Sequence, residues 1–229
     1  MLTRDDRTVA DALSLVEPAV AAGARHIGFK DIGAPPRDLA RLAQAITAGG
    51  AQAYLEIVDP DPTAAEAAAS LAREIGINHL MGGVAAAAVL RILGDSGIAY
   101  YPFAGLPVGH PTRLEGSAQR ISEDCRRFAA LGCAGIDLLA YRSIEAEPMA
   151  LILAARAATA GRLIVAGNID SSQRIADLAE AGVDAFTVGT AALNQRFAPG
   201  AGVARQMELI AQACQAASGQ RPARKMRPG

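Results

Sequence analysis

The feature that most constrains the fold of this chain is a repeat punctuated by glycine. Seven glycines each close an alanine-rich, helix-like segment and precede a short apolar run: Gly23, Gly50, Gly76, Gly97, Gly132, Gly161 and Gly182. They follow one another at intervals of 21 to 35 residues. Glycine just beyond a helix supplies the left-handed turn into the next element. This spacing indicates one structural unit that is used repeatedly.

Eight strand-like runs occupy the repeat: Met1–Thr3, His26–Asp31, Ala51–Asp59, His79–Gly82, Ile98–Ala104, Gly135–Arg142, Leu163–Ile169 and Ala185–Gly189. Strands that alternate with helices pair in parallel through right-handed crossovers. Eight such units close into a barrel. We therefore predict an α/β fold, a single-domain (β/α)8 TIM barrel over residues 1–217, followed by a disordered basic tail over residues 218–229. A doubly wound open sheet is the alternative.

Composition narrows the functional classes. The formal charge is −1 and no basic stripe with interleaved aromatic residues occurs, which argues against a nucleic-acid partner. No apolar run approaches the roughly 20 residues that span a bilayer, and no signal segment is visible. The scattered thiols of Cys125, Cys133 and Cys214 are typical of reduced cysteines. We predict a cytoplasmic protein without a membrane partner, and the alanine-rich helices favour a homo-oligomer.

Lysine is nearly absent from this chain, and that makes Lys30 conspicuous. Of the 22 basic residues, only Lys30 and Lys225 are lysines. A desolvated amine can lose its proton near neutral pH and form imines, which a guanidinium cannot do. Lys30 ends the apolar run of the second strand. We interpret it as a catalytic amine; an ion pair at the rim is the alternative.

Alternation along the strands places a carboxylate beside that amine. Ile27 and Phe29 fit the helix-covered outer face, so Lys30 should point into the barrel. The same argument points Glu56, on the third strand, inward. A buried ammonium requires a counter-charge, and Glu56 is the expected partner. A purely structural ion pair is the alternative interpretation.

Acidic residues also follow the first strand. Asp5 and Asp6 come directly after it, and we name Asp5 with Lys30 and Glu56 as the catalytic set, with Asp6 as an equal candidate for the acidic role. The alternative is that these acids only favour a helix N-terminus.

Further candidates lie at strand ends and in loops. On the sixth strand, Tyr141 is expected inward and Arg142 outward, and either is a candidate ligand contact, whereas Asp137 is expected to be structural. His110 lies in the longest loop and is a candidate lid residue.

No cofactor and no metal site is predicted as required. Mg²⁺ remains an alternative, bound by oxygens of Glu56 and the acidic loop Val58–Pro62. Formation of an ordinary turn by that loop is the favoured interpretation.

The ends of the last two strands predict a phosphate site. Gly167 and Asn168 follow the seventh strand, and Gly189 and Thr190 follow the eighth. Glycine lets an anion approach the backbone, and a helix that begins just beyond offers free N–H groups. Ordinary turn glycines are the alternative.

This segment resembles the ribulose-phosphate-binding (β/α)8 barrels, which include histidine- and tryptophan-pathway isomerases and synthases and relatives of orotidine-phosphate decarboxylase. The motifs that carry the resemblance are Gly167-Asn168-Ile169 and Val188-Gly189-Thr190-Ala191. It implies a phosphate monoester held by Gly167, Asn168, Gly189 and Thr190. The catalytic end departs from the group, because Gly28 and Gly33 stand where the decarboxylase relatives carry aspartates, and the fifth strand supplies no acid.

Three functions follow. The first is an enzyme that cleaves or joins a carbon–carbon bond of a small phosphorylated carbonyl compound or sugar phosphate, through an imine (Schiff base) at Lys30. The second is a sugar-phosphate isomerase or epimerase in which Lys30 and Glu56 move protons. The third is a non-catalytic phosphometabolite sensor. We favour the first, a lyase.

Overall fold

The computed structural model describes residues 1–218 and confirms the (β/α)8 barrel. Its strands are β1 (Thr3–Arg4), β2 (Arg7–Thr8), β3 (His26–Lys30), β4 (Gln52–Ile57), β5 (His79–Gly82), β6 (Ala99–Tyr101), β7 (Leu106–Val108), β8 (Arg113–Glu115), β9 (Gly135–Leu138), β10 (Arg162–Val165) and β11 (Ala185–Phe186). Its helices are α1 (Ala12–Ala21), α2 (Pro36–Ala48), α3 (Pro62–Ile75), α4 (Ala86–Leu93), α5 (Ala118–Ala130), α6 (Pro148–Ala158), α7 (Ser172–Glu180), α8 (Thr190–Leu193) and α9 (Val203–Ser218). Ser218 ends α9; the rest of the predicted tail lies outside the described residues.

The barrel consists of two parallel groups of strands. One group has the order β3-β4-β5-β6 and the other β9-β10-β11. Backbone hydrogen bonds around Asp137 join β6 to β9: its N–H donates to the carbonyl of Pro102 at 2.9 Å, and its carbonyl accepts from Ala104 at 3.1 Å.

The first barrel position is filled by the extended segment that begins at Met1. The Met1 nitrogen donates to the carbonyl of Val188 at 2.7 Å. The N–H of Leu2 donates to the carbonyl of Gly28, also at 2.7 Å. These bonds connect β11 to β3 through residues 1–3, so the cylinder is closed.

The alternation of side chains agrees with the sequence pattern. Phe29 and Leu55 are fully buried against the helices on the outer face. Deep inside the barrel, a separate apolar cluster consists of Tyr54, Met81, Tyr101 and Ile164.

Six of the seven predicted turn glycines have a positive φ. The exception is Gly161. Helix α6 ends earlier, at Ala158, and the chain leaves it through Thr159, which has an extended backbone.

An antiparallel hairpin, β7–β8, interrupts the regular order after β6. The sequence pattern indicates only a long loop here. Leu106 pairs with Glu115 and Val108 with Arg113, so the tip contains His110 and a cis peptide bond to Pro111. The hairpin follows the carboxyl end of a barrel strand, and it therefore rises at the end of the barrel where active sites of this fold lie.

Two further features concern the cysteines and the length of the helices. Cys125, Cys133 and Cys214 are unpaired, and burial raises the pKa of each thiol. Within residues 1–218, the helices fall short of the length and apolarity that a membrane-spanning segment needs.

Candidate active site

Lys30 lies at the carboxyl end of β3 with its side chain inside the barrel and 5% of its surface exposed. Its Nζ is 2.8 Å from an oxygen of Glu56 and 2.8 Å from an oxygen of Asp6. Glu56 is the register partner of Lys30 on β4 and is 2% exposed. The structure therefore confirms that Lys30 and Glu56 form an ion pair, as the alternation of side chains predicted.

Lys30 is held as an ammonium in this arrangement. Burial by itself lowers the pKa of Lys30, but the charges of Glu56 and Asp6 and their hydrogen bonds outweigh it and raise that pKa above its ordinary value. To react as a nucleophile, the amine must first lose a proton, and it is in contact with both carboxylates.

Asp6, rather than Asp5, reaches the amine. The two residues form the tight turn between β1 and β2, with φ of 49° and 58°. Asp5 is exposed at the rim of the cavity, whereas Asp6 is 2% exposed. The sequence shows two consecutive aspartates after the first strand, but it does not reveal which of them points into the barrel.

Asp6 accepts hydrogen bonds from three parts of the chain. Besides Lys30, the Nη1 of Arg142 donates to both of its oxygens, at 2.8 and 2.6 Å. The backbone N–H of Thr112, in the hairpin, donates at 2.7 Å. Burial alone raises the pKa of Asp6, but the hydrogen bond from Arg142 and the charge of Lys30 hold that pKa well below its usual range. Asp6 is therefore a permanent carboxylate.

The expectation that Arg142 points outward is wrong. β9 ends at Leu138 and the chain turns into a 3₁₀-helix over Ala140–Arg142. This helix abolishes the strict alternation of a strand, so Arg142 can reach Asp6.

Tyr141 is half-buried and lines the cavity. Its ring lies 4.8 Å from the guanidinium carbon of Arg174, and its hydroxyl is buried without a hydrogen-bond partner among the described residues.

The turn after β10 combines glycine with a neighbouring cation. Gly167 has φ +81°, and a Cβ at this position would collide with the Nε of Arg142. That Nε is buried and has no hydrogen-bond partner within residues 1–218. Asn168 has φ 57°, and its side-chain amide donates to the carbonyl of Tyr141 at 3.0 Å. Glycine is thus required here by conformation and by the close approach of Arg142.

The turn after β11 has a packing requirement of its own. A Cβ on Gly189 would lie 2.6 Å from the Oγ1 of Thr3, at the seam where the barrel closes. Thr190 begins the short helix α8. Within residues 1–218, the backbone N–H groups of Gly167, Asn168, Gly189 and Thr190 form no hydrogen bonds. These donors are therefore available to a ligand.

One cavity of about 910 Å³ at this end of the barrel brings the predicted residues together. Its lining includes Lys30, Glu56, Asp5, Asp6, His110, Tyr141, Arg142, Gly167, Asn168, Gly189 and Thr190. Two further cations at its rim, Arg113 and Arg196, were not singled out from sequence. A cavity of this size is within the range of small-molecule sites.

The residues of the alternative magnesium site do not converge. Glu56 points into the barrel, whereas Asp61 is exposed and caps α3 by accepting from the N–H of Thr63 at 2.7 Å. No group of three or more His, Cys, Asp or Glu side chains in residues 1–218 is placed to hold a metal ion. Within the acidic loop, the carboxylate of Asp59 accepts the backbone N–H of Asp61 at 2.9 Å, a local contact of the kind found in turns.

His26 and His79 lie at the opposite end of the barrel. His79 stacks on Tyr54 with ring centroids 4.1 Å apart, and its Nε2 lies 2.6 Å from the side-chain oxygen of Gln52. Burial, with the charge of Arg162 added, lowers the pKa of His79 to about 4. These contacts pack His79 into the barrel at the end remote from Lys30.

Comparison with known proteins supports the fold. No family model and no curated protein matches the chain. Among solved structures, the chain is similar to the Amycolatopsis orientalis BexX/CysO complex (18% identity, 99% of this chain and 94% of that chain, TM-score 0.64). It is also similar to a native KDPGal structure (13%, 93% and 93%, 0.68) and to the tryptophan synthase alpha chain of Legionella pneumophila (17%, 94% and 88%, 0.57). At these identities the comparisons show a shared barrel fold, the fold that the resemblance implied.

Proposed function

We propose that this protein is an enzyme that cleaves or forms a carbon–carbon bond in a small phosphorylated carbonyl compound, with Lys30 as the reacting amine. One observation carries the proposal. An amine between two buried carboxylates lines the same cavity as four unpaired backbone N–H groups at the ends of β10 and β11. The first set suits carbonyl chemistry, and the second suits a phosphate group.

The phosphate end is supported by charge as well as by geometry. The unpaired Nε of Arg142 lies against Gly167, at the position that a Cβ of this residue would occupy. Backbone donors with an adjacent guanidinium form a strong anion site because charge-assisted hydrogen bonds to phosphate exceed neutral ones. A bound phosphate would fix the substrate so that its carbonyl group faces the interior of the barrel.

The chemistry at Lys30 then follows from its two partners. The ammonium gives one proton to the carboxylate of Glu56, and the free amine attacks the carbonyl carbon. Glu56 returns this proton to the departing hydroxyl group, so loss of water leaves a protonated imine and an ionised Glu56. As the carbon–carbon bond breaks, Glu56 takes the proton of the neighbouring substrate hydroxyl, one carbonyl fragment leaves, and the imine accepts the electron pair to become an enamine. Glu56 then gives the proton to the enamine carbon, and water hydrolyses the resulting imine to release the second product and restore Lys30. Asp6 remains ionised throughout because Arg142 and Lys30 both stabilise its charge.

An isomerase or epimerase is the second candidate, favoured by one specific observation. The carboxylates hold Lys30 as a cation. A fixed cation in a buried site stabilises an enediolate without forming a covalent bond. In this mechanism Glu56 transfers the proton between adjacent carbons, and Lys30 stabilises the developing negative charge on oxygen.

Borohydride trapping separates these candidates. The protein is incubated with dihydroxyacetone phosphate, glyceraldehyde 3-phosphate or pyruvate, reduced, and analysed by peptide mass spectrometry. We expect an adduct on Lys30 that is absent in Lys30→Arg and unchanged in Lys225→Arg, which replaces the other lysine of the chain. Turnover without an adduct would favour the isomerase. Binding of the phosphate compounds without turnover would favour a sensor and overturn the enzymatic proposal.

A further inference from the structure

Asp137 is a buried carboxyl group that the proposed reaction does not yet use. It lies on β9 with none of its surface exposed. Neither of its carboxyl oxygens has a hydrogen-bond partner among the described residues. An ionised carboxylate in such surroundings is very costly, so a group of this kind becomes neutral or is retained for a function.

The strand register places Asp137 directly beneath the candidate active site. It pairs with Ile164 on β10. Two residues further along each chain segment, Leu139 and Ala166 line the cavity. Side chains at positions i and i+2 of a strand share a face. Asp137 is therefore one layer below the floor of the cavity, inside the closed cylinder. The structural role predicted for Asp137 from the sequence stays a prediction.

The charged groups that act on Asp137 belong to the site above it. They are Glu56 on β4, Lys30 on β3 and Arg142 beyond β9, and the Tyr100 hydroxyl on β6 is also near. Burial, followed by the charge of Glu56, raises the pKa of Asp137 well above its ordinary value. The charges of Lys30 and Arg142 and the backbone N–H of Leu138 only partly oppose this.

Asp137 and Glu56 are both buried inside the barrel, and it is costly for two buried carboxyl groups to be ionised together. Glu56 has an ammonium at 2.8 Å, whereas no cation of residues 1–218 forms an ion pair with Asp137. The proton therefore resides on Asp137.

We propose that Asp137 is a positioning residue that acts through Glu56. As a neutral carboxylic acid it leaves Glu56 ionised, and it donates a hydrogen bond to Glu56 once Lys30 has reacted. The second role rests on the proposed function. The ammonium of Lys30 carries three N–H donors, but a protonated imine carries one. Glu56 and Asp6 then compete for that one donor. Asp6 still accepts hydrogen bonds from Arg142 and Thr112, so Glu56 is the carboxylate that needs a new donor.

The first role is tested on the protein without substrate. The infrared spectrum of the full wild-type chain at neutral pH should contain the carbonyl stretch of a protonated carboxylic acid. This band should vanish in Asp137→Asn and persist in Glu56→Gln. Absence of the band from the wild type, or its loss only in Glu56→Gln, would place the proton elsewhere and overturn the proposal. These spectra require no turnover, so the outcome is independent of whether the proposed function is correct.

The second role is tested by kinetics with a substrate found in the trapping experiment. Asp137→Asn keeps a neutral donor and should retain kcat within about threefold. Asp137→Leu removes the donor and should lower kcat by about tenfold to a hundredfold, the usual effect of losing a supporting hydrogen bond. In the wild type, kcat should fall when the pH is raised into the alkaline range. In Asp137→Asn, this fall should occur at a higher pH. A merely structural Asp137 would give Asp137→Leu the kcat and pH profile of the wild type, and that result would refute this role.

Discussion

Both carboxylate oxygens of Asp6 accept hydrogen bonds from one nitrogen of Arg142, at 2.8 and 2.6 Å. The same carboxylate holds the Nζ of Lys30 at 2.8 Å. Arg142 in turn lies where a side chain on Gly167 would stand. Asp6 thus links the amine to the turn proposed to bind phosphate. A substitution of Asp6 should therefore affect both Lys30 and the phosphate-binding turn.

The tandem acids Asp5 and Asp6 provide a matched pair of variants. Asp6→Asn leaves Lys30 and Arg142 short of a buried counter-charge, and removing one partner of such a pair costs about 3–5 kcal/mol. Asp5→Asn changes an exposed turn residue and should alter the free energy of unfolding by less than about 0.5 kcal/mol. Urea unfolding at neutral pH measures both. Equal effects of the two substitutions would contradict the central position of Asp6.

The contribution of Asp6 to stability should depend on pH in the acid range. Its pKa is lower in the folded than in the unfolded protein. The stabilisation is therefore fully present above the unfolded-state value, about 3.9 for aspartate, and is lost as the pH falls through the folded value. The difference in unfolding free energy between wild type and Asp6→Asn should be large at pH 7 and should narrow in stronger acid. A difference that widens on acidification would show that Asp6 is not held as a carboxylate.

Gly167 can be tested against Gly132, since both have a positive φ. A Cβ added to Gly132 would meet no heavy atom within 4 Å, so Gly132→Ala should cost only the backbone strain, about 1–2 kcal/mol. Gly167→Ala should cause the same backbone strain and should in addition displace Arg142, because the new Cβ would collide with the Nε of that residue. We expect Gly167→Ala to weaken binding of dihydroxyacetone phosphate by at least about tenfold, or about 1.4 kcal/mol, relative to Gly132→Ala. Calorimetric titration of both variants provides the comparison, and equal affinities would remove Gly167 and Arg142 from the phosphate site.

His79 should make the protein less stable in mild acid. Its pKa is lowered to about 4 by burial and by the charge of Arg162. For a base with a lowered pKa, stability is fully present above the unfolded-state value of about 6.5 and is lost as the pH falls toward the folded value. His79→Gln should reduce the loss of unfolding free energy between these two pH values. His110→Gln, at the exposed hairpin tip, is the control and should keep the wild-type slope; if both variants behave alike, His79 is not the group responsible.

The barrel and the pairing of Lys30 with Glu56 could be predicted because both depend on short-range regularities. Glycines at helix ends mark the repeat unit, and strict alternation decides which side of a strand a residue occupies. Lys30 and Glu56 lie in regular segments of β3 and β4, so their orientation followed from their neighbours.

The contacts of Asp6 could not be predicted in this way. Asp6 lies in a turn with positive φ, and Arg142 lies in a 3₁₀-helix, so alternation fails at both positions. The two residues are 136 positions apart in the chain. The hairpin was missed for a similar reason: its strands have three residues each, and the Gly109-His110-Pro111 tip between them has the composition of a loop.

The three donors that meet at Asp6 have a consequence for engineering this barrel. Loops at the carboxyl ends of barrel strands support many chemistries because they vary on a constant scaffold. Here the turn after the first strand carries the carboxylate of Asp6, and the inserted hairpin and the segment after the sixth strand each donate to it. A graft that replaced the turn would remove the acceptor of Thr112 and Arg142, and a graft that replaced either of the other segments would remove a donor from a buried carboxylate. These three segments must therefore be transplanted as a set.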